Sequence, residues 1–152
     1  AEQDWPRLSK KLDWAAQLHE IGAQISHTDS HKHSAYILDN TDAPGFALYE
    51  LHRLSLLVLG HKGKLRKLDV DFTNVGFACQ LMCLRLAVIL CHARRDPDYK
   101  KMQLRLSEKQ TNRFELLIEP LWPQRFPQSQ HLLLQEVLAW QKTSWELQIK
   151  QA

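Results

Sequence analysis

The spacing of apolar residues changes near residue 100, and this change constrains the fold more than any other feature of the chain. Before it, apolar residues recur at helical spacing in four segments: residues 7–22, 34–38, 48–59 and 72–93. After it, apolar and polar residues alternate as in half-buried strands in three segments: residues 102–106, 114–118 and 145–149. Between the last two strands, Ser129 can cap a helix that continues to Trp140.

These patterns predict a mainly α fold with two domains. Residues 1–97 form a helical bundle, in which the segment 72–93 is apolar nearly all round and therefore central. Residues 98–152 form a small α+β domain, in which one helix packs on a three-stranded antiparallel sheet.

Composition excludes several classes of protein. The longest uncharged stretch, residues 72–84, is shorter than the about 20 apolar residues of a membrane-spanning helix, so we expect no membrane association. Three cysteines in a chain without a leader indicate reduced thiols in a cytoplasmic protein, and their helical spacing in an apolar segment favours core positions. The chain starts at Ala1 without an initiator Met, which we interpret as a piece of a larger protein.

Positive charge is concentrated in one region. The chain has 20 Lys and Arg against 17 Asp and Glu, a net charge of +3. Residues 60–101 alone carry +5, and the remainder carries −2. A focused basic region attracts anions such as polyphosphate, nucleotides or nucleic acid.

The histidines suggest a degenerate metal site. The segment Leu18-His19-Glu20-Ile21-Gly22 is similar to the Leu-His-Asp-Ile-Gly signature of HD-type metal phosphohydrolases, in which the adjacent His and Asp bind a divalent metal. Here Glu20 is one methylene longer than Asp, and Arg85 stands where a distant Asp should complete the cage, so we expect no metal. The alternative hypothesis is a stand-alone metal-dependent phosphohydrolase, whose ligands would be His19, Glu20, His33 and His61, with His27 and His31 as further candidates.

A longer series of blocks resembles the C-terminal half of the exopolyphosphatase and guanosine pentaphosphate phosphatase family. The blocks are residues 12–22, 25–27, 33–38, 44–46, 57–61 and 84–90. The resemblance implies an HD-like helical domain that has lost its metal site, followed by a small αβ domain. It also implies N-terminal actin-like domains, outside this sequence, that hold the catalytic carboxylate, the phosphate loops and magnesium.

The resemblance further implies a bacterial, cytoplasmic homodimer of the stringent response that removes terminal phosphate from polyphosphate or guanosine pentaphosphate. This sequence contains no glycine-rich phosphate loop, so we expect no catalytic residue, no cofactor of its own and no activity of the chain alone. Leu132-Leu133-Leu134 is wider than one helical face needs, and we expect part of it to pack on another chain or on the missing domains.

The basic region then becomes a candidate polyphosphate site. Gly60 and Gly63 allow the backbone to approach a ligand closely. The candidate polyphosphate-binding residues are His61, Lys62, Lys64, Arg66, Lys67, Arg94 and Arg95. A third hypothesis is a nucleic-acid-binding or oligomerisation module, but the five Trp residues are scattered and form no stripe with basic residues, so we do not expect nucleic acid as a partner.

Overall fold

Helices build the first part of the chain, as the apolar spacing predicts. The computed structural model describes residues 3–152. The chain divides into two compact units, of which the first ends at Arg85 and the second begins at Leu86. The helices of the first unit are α1 (Trp5–Leu18), α2 (Ser30–Asp39), α3 (Leu48–Gly60) and the greater part of α4 (Val75–Leu90), with 3₁₀ turns at Ile21–Gln24 and Leu65–Lys67. The predicted domain boundary between residues 97 and 98 stays a prediction.

The start of α1 follows from its sequence. The Asp4 carboxylate accepts a hydrogen bond from the Arg7 N–H at 3.2 Å, and Pro6 stands in the first turn, where its missing N–H costs nothing. The segment 75–85 of α4 is the centre of the first unit. Ala78, Leu81 and Met82 of α4 are completely buried, as its nearly uniform apolar character predicts.

A close backbone contact joins α1 to α2. A Cβ atom on Gly22 would lie 2.2 Å from the Ser30 carbonyl oxygen, so only glycine fits there. The Gly22 N–H donates to Ser34 Oγ at 2.7 Å, and Ser34 Oγ donates to the His19 carbonyl at 2.8 Å. This contact holds His19, at the end of α1, against α2.

The second unit contains a three-stranded sheet with β2 in the centre. β1 (Met102–Leu106) pairs antiparallel with β2 (Arg113–Ile118), so that Leu104 lies opposite Leu116. β3 (Glu146–Gln151) pairs parallel with β2. The prediction of an antiparallel sheet is therefore wrong for the third strand, and the sheet is mixed.

Helices between β2 and β3 explain the parallel pairing. α5 (Trp122–Arg125) and α6 (Pro127–Trp140) carry the chain back to the edge at which β2 begins, so β3 enters the sheet in the same direction. Leu133 and Trp140 of α6 are completely buried, and the Trp140 ring lies 6.3 Å from the ring of Phe114 in β2. The mainly α fold with a small α/β unit is confirmed.

Some local predictions are wrong. α6 begins at Pro127 rather than after a Ser129 cap, because Pro has the backbone angle of a first helical residue. Cys91 follows the end of α4 and is exposed, whereas Cys79 and Cys83 are half-buried. Within residues 3–152, no helix combines the length and apolarity needed to cross a bilayer.

Candidate anion-binding site

A buried arginine fixes the basic loop that follows α3. Arg85 in α4 is 6% exposed, and its Nη1 donates to the Gly60 carbonyl at 2.7 Å and to the Gly63 carbonyl at 3.2 Å. Gly63 has a φ of +86°, a left-handed conformation that other residues adopt only with strain. The loop therefore has a defined shape, set by a guanidinium on its inner side.

His61 lies beneath this loop rather than on its surface. Its ring is 7% exposed, and its Nδ1 donates to the Val58 carbonyl. Burial, together with the neighbouring His19, His31 and Arg85, lowers the pKa of His61 to about 4, although the hydrogen bond to Val58 acts in the opposite direction. At neutral pH His61 is uncharged, so the structure places this predicted anion ligand in a supporting position.

The lysines of the loop line a cleft. Lys62, Lys64 and Lys67 border a cavity of about 500 Å³, together with Gly63 and Arg85. All three lysines are exposed, so their ammonium groups are free to reach an anion in the cleft. Arg66 is exposed but does not line this cavity.

Further lining residues of the cleft come from the start of α2 and were not predicted as anion ligands from the sequence. They are Asp29, His31 and Lys32. Lys32 Nζ lies 3.3 Å from the Asp29 carboxylate, which offsets the negative charge there. His31 Nδ1 is buried and has no hydrogen-bond partner among residues 3–152, and burial lowers the pKa of His31. Residues 29–32 and 62–67 are distant in sequence, so no local pattern indicates that they meet.

The remaining predicted anion ligands lie in the second unit. Arg94 and Arg95 are both exposed, in the segment that follows α4, and Arg94 has a left-handed φ of 53°. Arg95 lines a different cavity, which Trp122 and Arg125 also border. The candidate anion site of the first unit therefore consists of the loop lysines and the start of α2.

Comparison with known proteins identifies the family of the chain. Residues 1–142 match the sequence profile described as Ppx/GppA phosphatase, domain III. The chain belongs to the Ppx/GppA phosphatase family. The resemblance carried by residues 12–90 is thereby confirmed.

Relatives of known name match domain III over only part of their own length. The chain is 37% identical over 139 residues to a guanosine-5'-triphosphate,3'-diphosphate pyrophosphatase of Pseudoalteromonas translucida, a match that covers 90% of this chain and 27% of the relative. It is 32% identical over 147 residues to the protein of the same name from Vibrio cholerae, covering 95% of this chain and 29% of the relative. The chain thus spans less than a third of the length of these relatives.

The histidines of this domain III do not form a metal site of the HD type. The rings of His19 and His61 lie 4.9 Å apart, and the third ring near them is that of His31, 6.3 Å from His61, rather than that of His33. Glu20 is exposed. In the part of the chain that the structure describes, no group of three or more His, Cys, Asp or Glu side chains has an arrangement suited to a metal ion.

Arg85 also opposes a metal at this position. Its positive charge acts on His61, one of the predicted metal ligands. A buried guanidinium next to imidazoles repels a divalent cation and attracts an anion. The residues present therefore do not fit the metal.

Proposed function

We propose that this domain III binds the phosphate chain of polyphosphate or guanosine pentaphosphate within a phosphatase that removes terminal phosphate. The cleft of about 500 Å³ with Lys32, Lys62, Lys64 and Lys67 on its walls carries this proposal. The names of the relatives support a guanosine polyphosphate substrate for the whole protein. The reaction itself and its magnesium belong to further domains of a cytoplasmic protein.

The arrangement of the cleft suits a chain of phosphates. Lysine ammonium groups are flexible point charges, which can follow successive phosphates without demanding one geometry. Each contact between Lys and phosphate releases counterions, so binding weakens as salt increases. Because Arg85 holds the carbonyls of Gly60 and Gly63 inward, the loop is fixed before the ligand arrives and loses little entropy on binding.

Binding of long-chain inorganic polyphosphate tests the proposal. The variant carries Lys62→Ala, Lys64→Ala and Lys67→Ala, and the matched control carries Lys10→Ala, Lys109→Ala and Lys142→Ala, which remove the same charge at exposed positions elsewhere. We expect the cleft variant to bind at least tenfold more weakly at 50–100 mM salt. The slope of log affinity against log salt should fall by about 2, since each lost contact removes roughly 0.7–0.9 from the slope.

The control variant distinguishes binding in the cleft from attraction of polyphosphate by the net charge of the chain. Equal losses in the cleft variant and in the control would mean that polyphosphate responds only to net charge. Equal affinities for RNA and polyphosphate at matched salt would instead favour the nucleic-acid-binding alternative.

We also propose that the chain forms a homodimer. Leu134 and Leu138, one turn apart on α6, are 52% and 59% exposed, whereas the neighbouring Leu133 is completely buried. Some of the leucines of this helix therefore lie at the surface, as predicted. Exposed apolar side chains that lie together, such as Leu134 and Leu138, are typical of protein interfaces.

Sedimentation equilibrium tests the dimer. We expect the parent chain to approach the dimer mass with increasing concentration, and a variant with Leu134→Ser and Leu138→Ser to remain monomeric. A matched variant with Ile25→Ser and Leu48→Ser, also exposed, should still dimerise. A monomer at all concentrations up to about 1 mM would contradict the proposal, since that affinity corresponds to only about 4 kcal/mol.

A further inference from the structure

His31 lies where α2 meets the basic loop. It is in the first turn of α2, and its ring lines the cleft of about 500 Å³ together with Lys62, Lys64 and Lys67. A Cβ atom on Gly63 would lie 3.4 Å from His31 Nε2, so this nitrogen lies close to the backbone of the loop. The cleft wall therefore contains an imidazole beside the lysines that carry the proposed function.

The two nitrogens of the His31 ring have different surroundings. Nδ1 is buried and has no hydrogen-bond partner among residues 3–152. A neutral imidazole carries its proton on one nitrogen and a lone pair on the other. A proton on Nδ1 would be a buried donor without an acceptor, which folded proteins rarely contain. The proton therefore belongs on Nε2, from which it can be donated to a ligand in the cleft.

The ring of His31 is uncharged at neutral pH. Burial is the largest effect on it and lowers its pKa below the ordinary value of 6.5. Lys62, Lys32 and His33 also lower this pKa through their positive charges, and Asp29 acts in the opposite direction. His31 thus differs from the lysines around it, since it offers a hydrogen bond without a charge.

A neutral donor binds phosphate in a different way from an ammonium group. Each contact between Lys and phosphate releases counterions and weakens as salt increases, whereas a hydrogen bond from an uncharged N–H releases none. The imidazole N–H lies in the plane of a rigid ring, so it restricts the direction from which an oxygen atom can approach. Lysine side chains, by contrast, can follow successive phosphates. A cleft with both kinds of donor can fix one phosphate and neutralise those beside it.

We propose that His31 binds the phosphate chain directly, by donating one hydrogen bond from Nε2 to a phosphate oxygen. This contact holds one phosphate at the junction of α2 and the loop, while Lys62, Lys64 and Lys67 neutralise the neighbouring phosphates. This role of His31 rests on the proposed function, because it requires the phosphate chain to occupy the cleft. It adds a part of the affinity that does not depend on salt.

Binding of long-chain inorganic polyphosphate over a range of salt concentrations tests this role, at pH 8, above the ordinary pKa of imidazole. His31→Phe keeps a ring but removes the donor. We therefore expect it to bind roughly tenfold more weakly, or more, at every salt concentration, with an unchanged slope of log affinity against log salt. Lys62→Ala should instead lower this slope by about 0.7–0.9. His31→Gln, which keeps an N–H donor, should bind within about threefold of the parent chain.

The matched control is His131→Phe, at an exposed position in the second unit, which should bind polyphosphate as the parent does. Equal affinities of His31→Phe and the parent would overturn the role of His31. A lower slope in His31→Phe would also overturn it, because the ring would then act as a cation. Equal losses in His31→Gln and His31→Phe would mean that the ring has only a structural role.

The lysine variant separates failure of this role from failure of the proposed function. If the variant with Lys62→Ala, Lys64→Ala and Lys67→Ala binds more weakly than its control, the cleft binds polyphosphate whatever the result for His31. If the lysine variant binds as well as its control, the proposed function fails, and the role of His31 fails with it.

The position of the ring proton gives a second test, which needs no variant. Correlation spectra of the ring nitrogens distinguish a protonated from an unprotonated nitrogen. At pH 8 we expect His31 Nε2 to be protonated and Nδ1 to be unprotonated. On addition of inorganic tripolyphosphate, the Nε2 resonance of His31 should shift more than that of His131. A proton on Nδ1, or an Nε2 resonance that does not respond to saturating tripolyphosphate, would overturn the assignment.

Discussion

Arg85 does not suit a metal site, but it stabilises the loop between Gly60 and Gly63. In the sequence, Arg85 is a departure from the predicted pattern of metal ligands. In the structure, it is a buried donor to the carbonyls of Gly60 and Gly63. A buried cation is tolerated where its donors are satisfied. Arg85 therefore fixes the loop that presents the lysines.

Replacement of Arg85 tests this role. Arg85→Met keeps a similar length but removes the donors to two carbonyls, so we expect the free energy of unfolding to fall by about 1–3 kcal/mol. Polyphosphate affinity should fall as well, because the loop loses its fixed shape. Urea unfolding and binding measurements check both, with exposed Lys10→Met as a control. Unchanged stability would show that the loop does not depend on the arginine.

His61 should make stability depend on pH. Its folded pKa, about 4, is below the ordinary value of 6.5, so the unfolded chain binds more protons between these two values. The contribution of His61 is complete above pH 6.5 and is lost as the pH falls to about 4, to a total of roughly 3 kcal/mol. His31, whose pKa is also lowered by burial, acts in the same direction.

A pH series of urea unfolding measures this effect. His61→Gln removes the titrating group, so its stability should fall less steeply between pH 6.5 and 4 than that of the parent chain. His131→Gln, at an exposed position, should leave the parent slope unchanged. Identical slopes for parent and His61→Gln would contradict the burial of a neutral imidazole.

At the scale of elements, features that depend on neighbouring residues could be predicted from the sequence. Features that depend on residues distant in the chain could not. The Asp4 cap, the central character of α4 and the β1–β2 hairpin follow from patterns within a few residues. The direction of β3 depends on how far α5 and α6 carry the chain, which alternation of apolar residues does not specify. The part of the cleft formed by Asp29, His31 and Lys32 was not predicted either, because these residues are distant in sequence from the lysines of the loop.

The contact between α1 and α2 gives a prediction at this scale. In Gly22→Ala the new Cβ would meet the Ser30 carbonyl oxygen at 2.2 Å, so the turn and α2 must move apart. We expect a loss of about 1–3 kcal/mol in the free energy of unfolding, as is usual for overpacking. The exposed Ala16→Ser should change it by less than about 0.5 kcal/mol. Full stability of Gly22→Ala would show that the two elements are not in close contact.

For the whole molecule, the sequence predicts the family of the chain but not the reaction. The blocks across residues 12–90 were enough to predict the family, because their order along the chain is specific even though each block is short. They carry no information on the reaction itself. The matched relatives are more than three times longer than the aligned segment, and among residues 3–152 no group of three or more His, Cys, Asp or Glu side chains is arranged to hold a metal ion.

We therefore expect the chain alone to release no phosphate from polyphosphate or guanosine pentaphosphate. Phosphate release in the presence of magnesium should equal that of a heat-denatured sample. Manganese, iron or zinc should add nothing, since Arg85 is buried, acts electrostatically on His61 and repels a divalent ion. Metal-dependent release that disappears in His19→Ala would instead establish the stand-alone phosphohydrolase. Binding without turnover would mean that the cleft only holds a phosphate chain while groups outside this sequence cleave it.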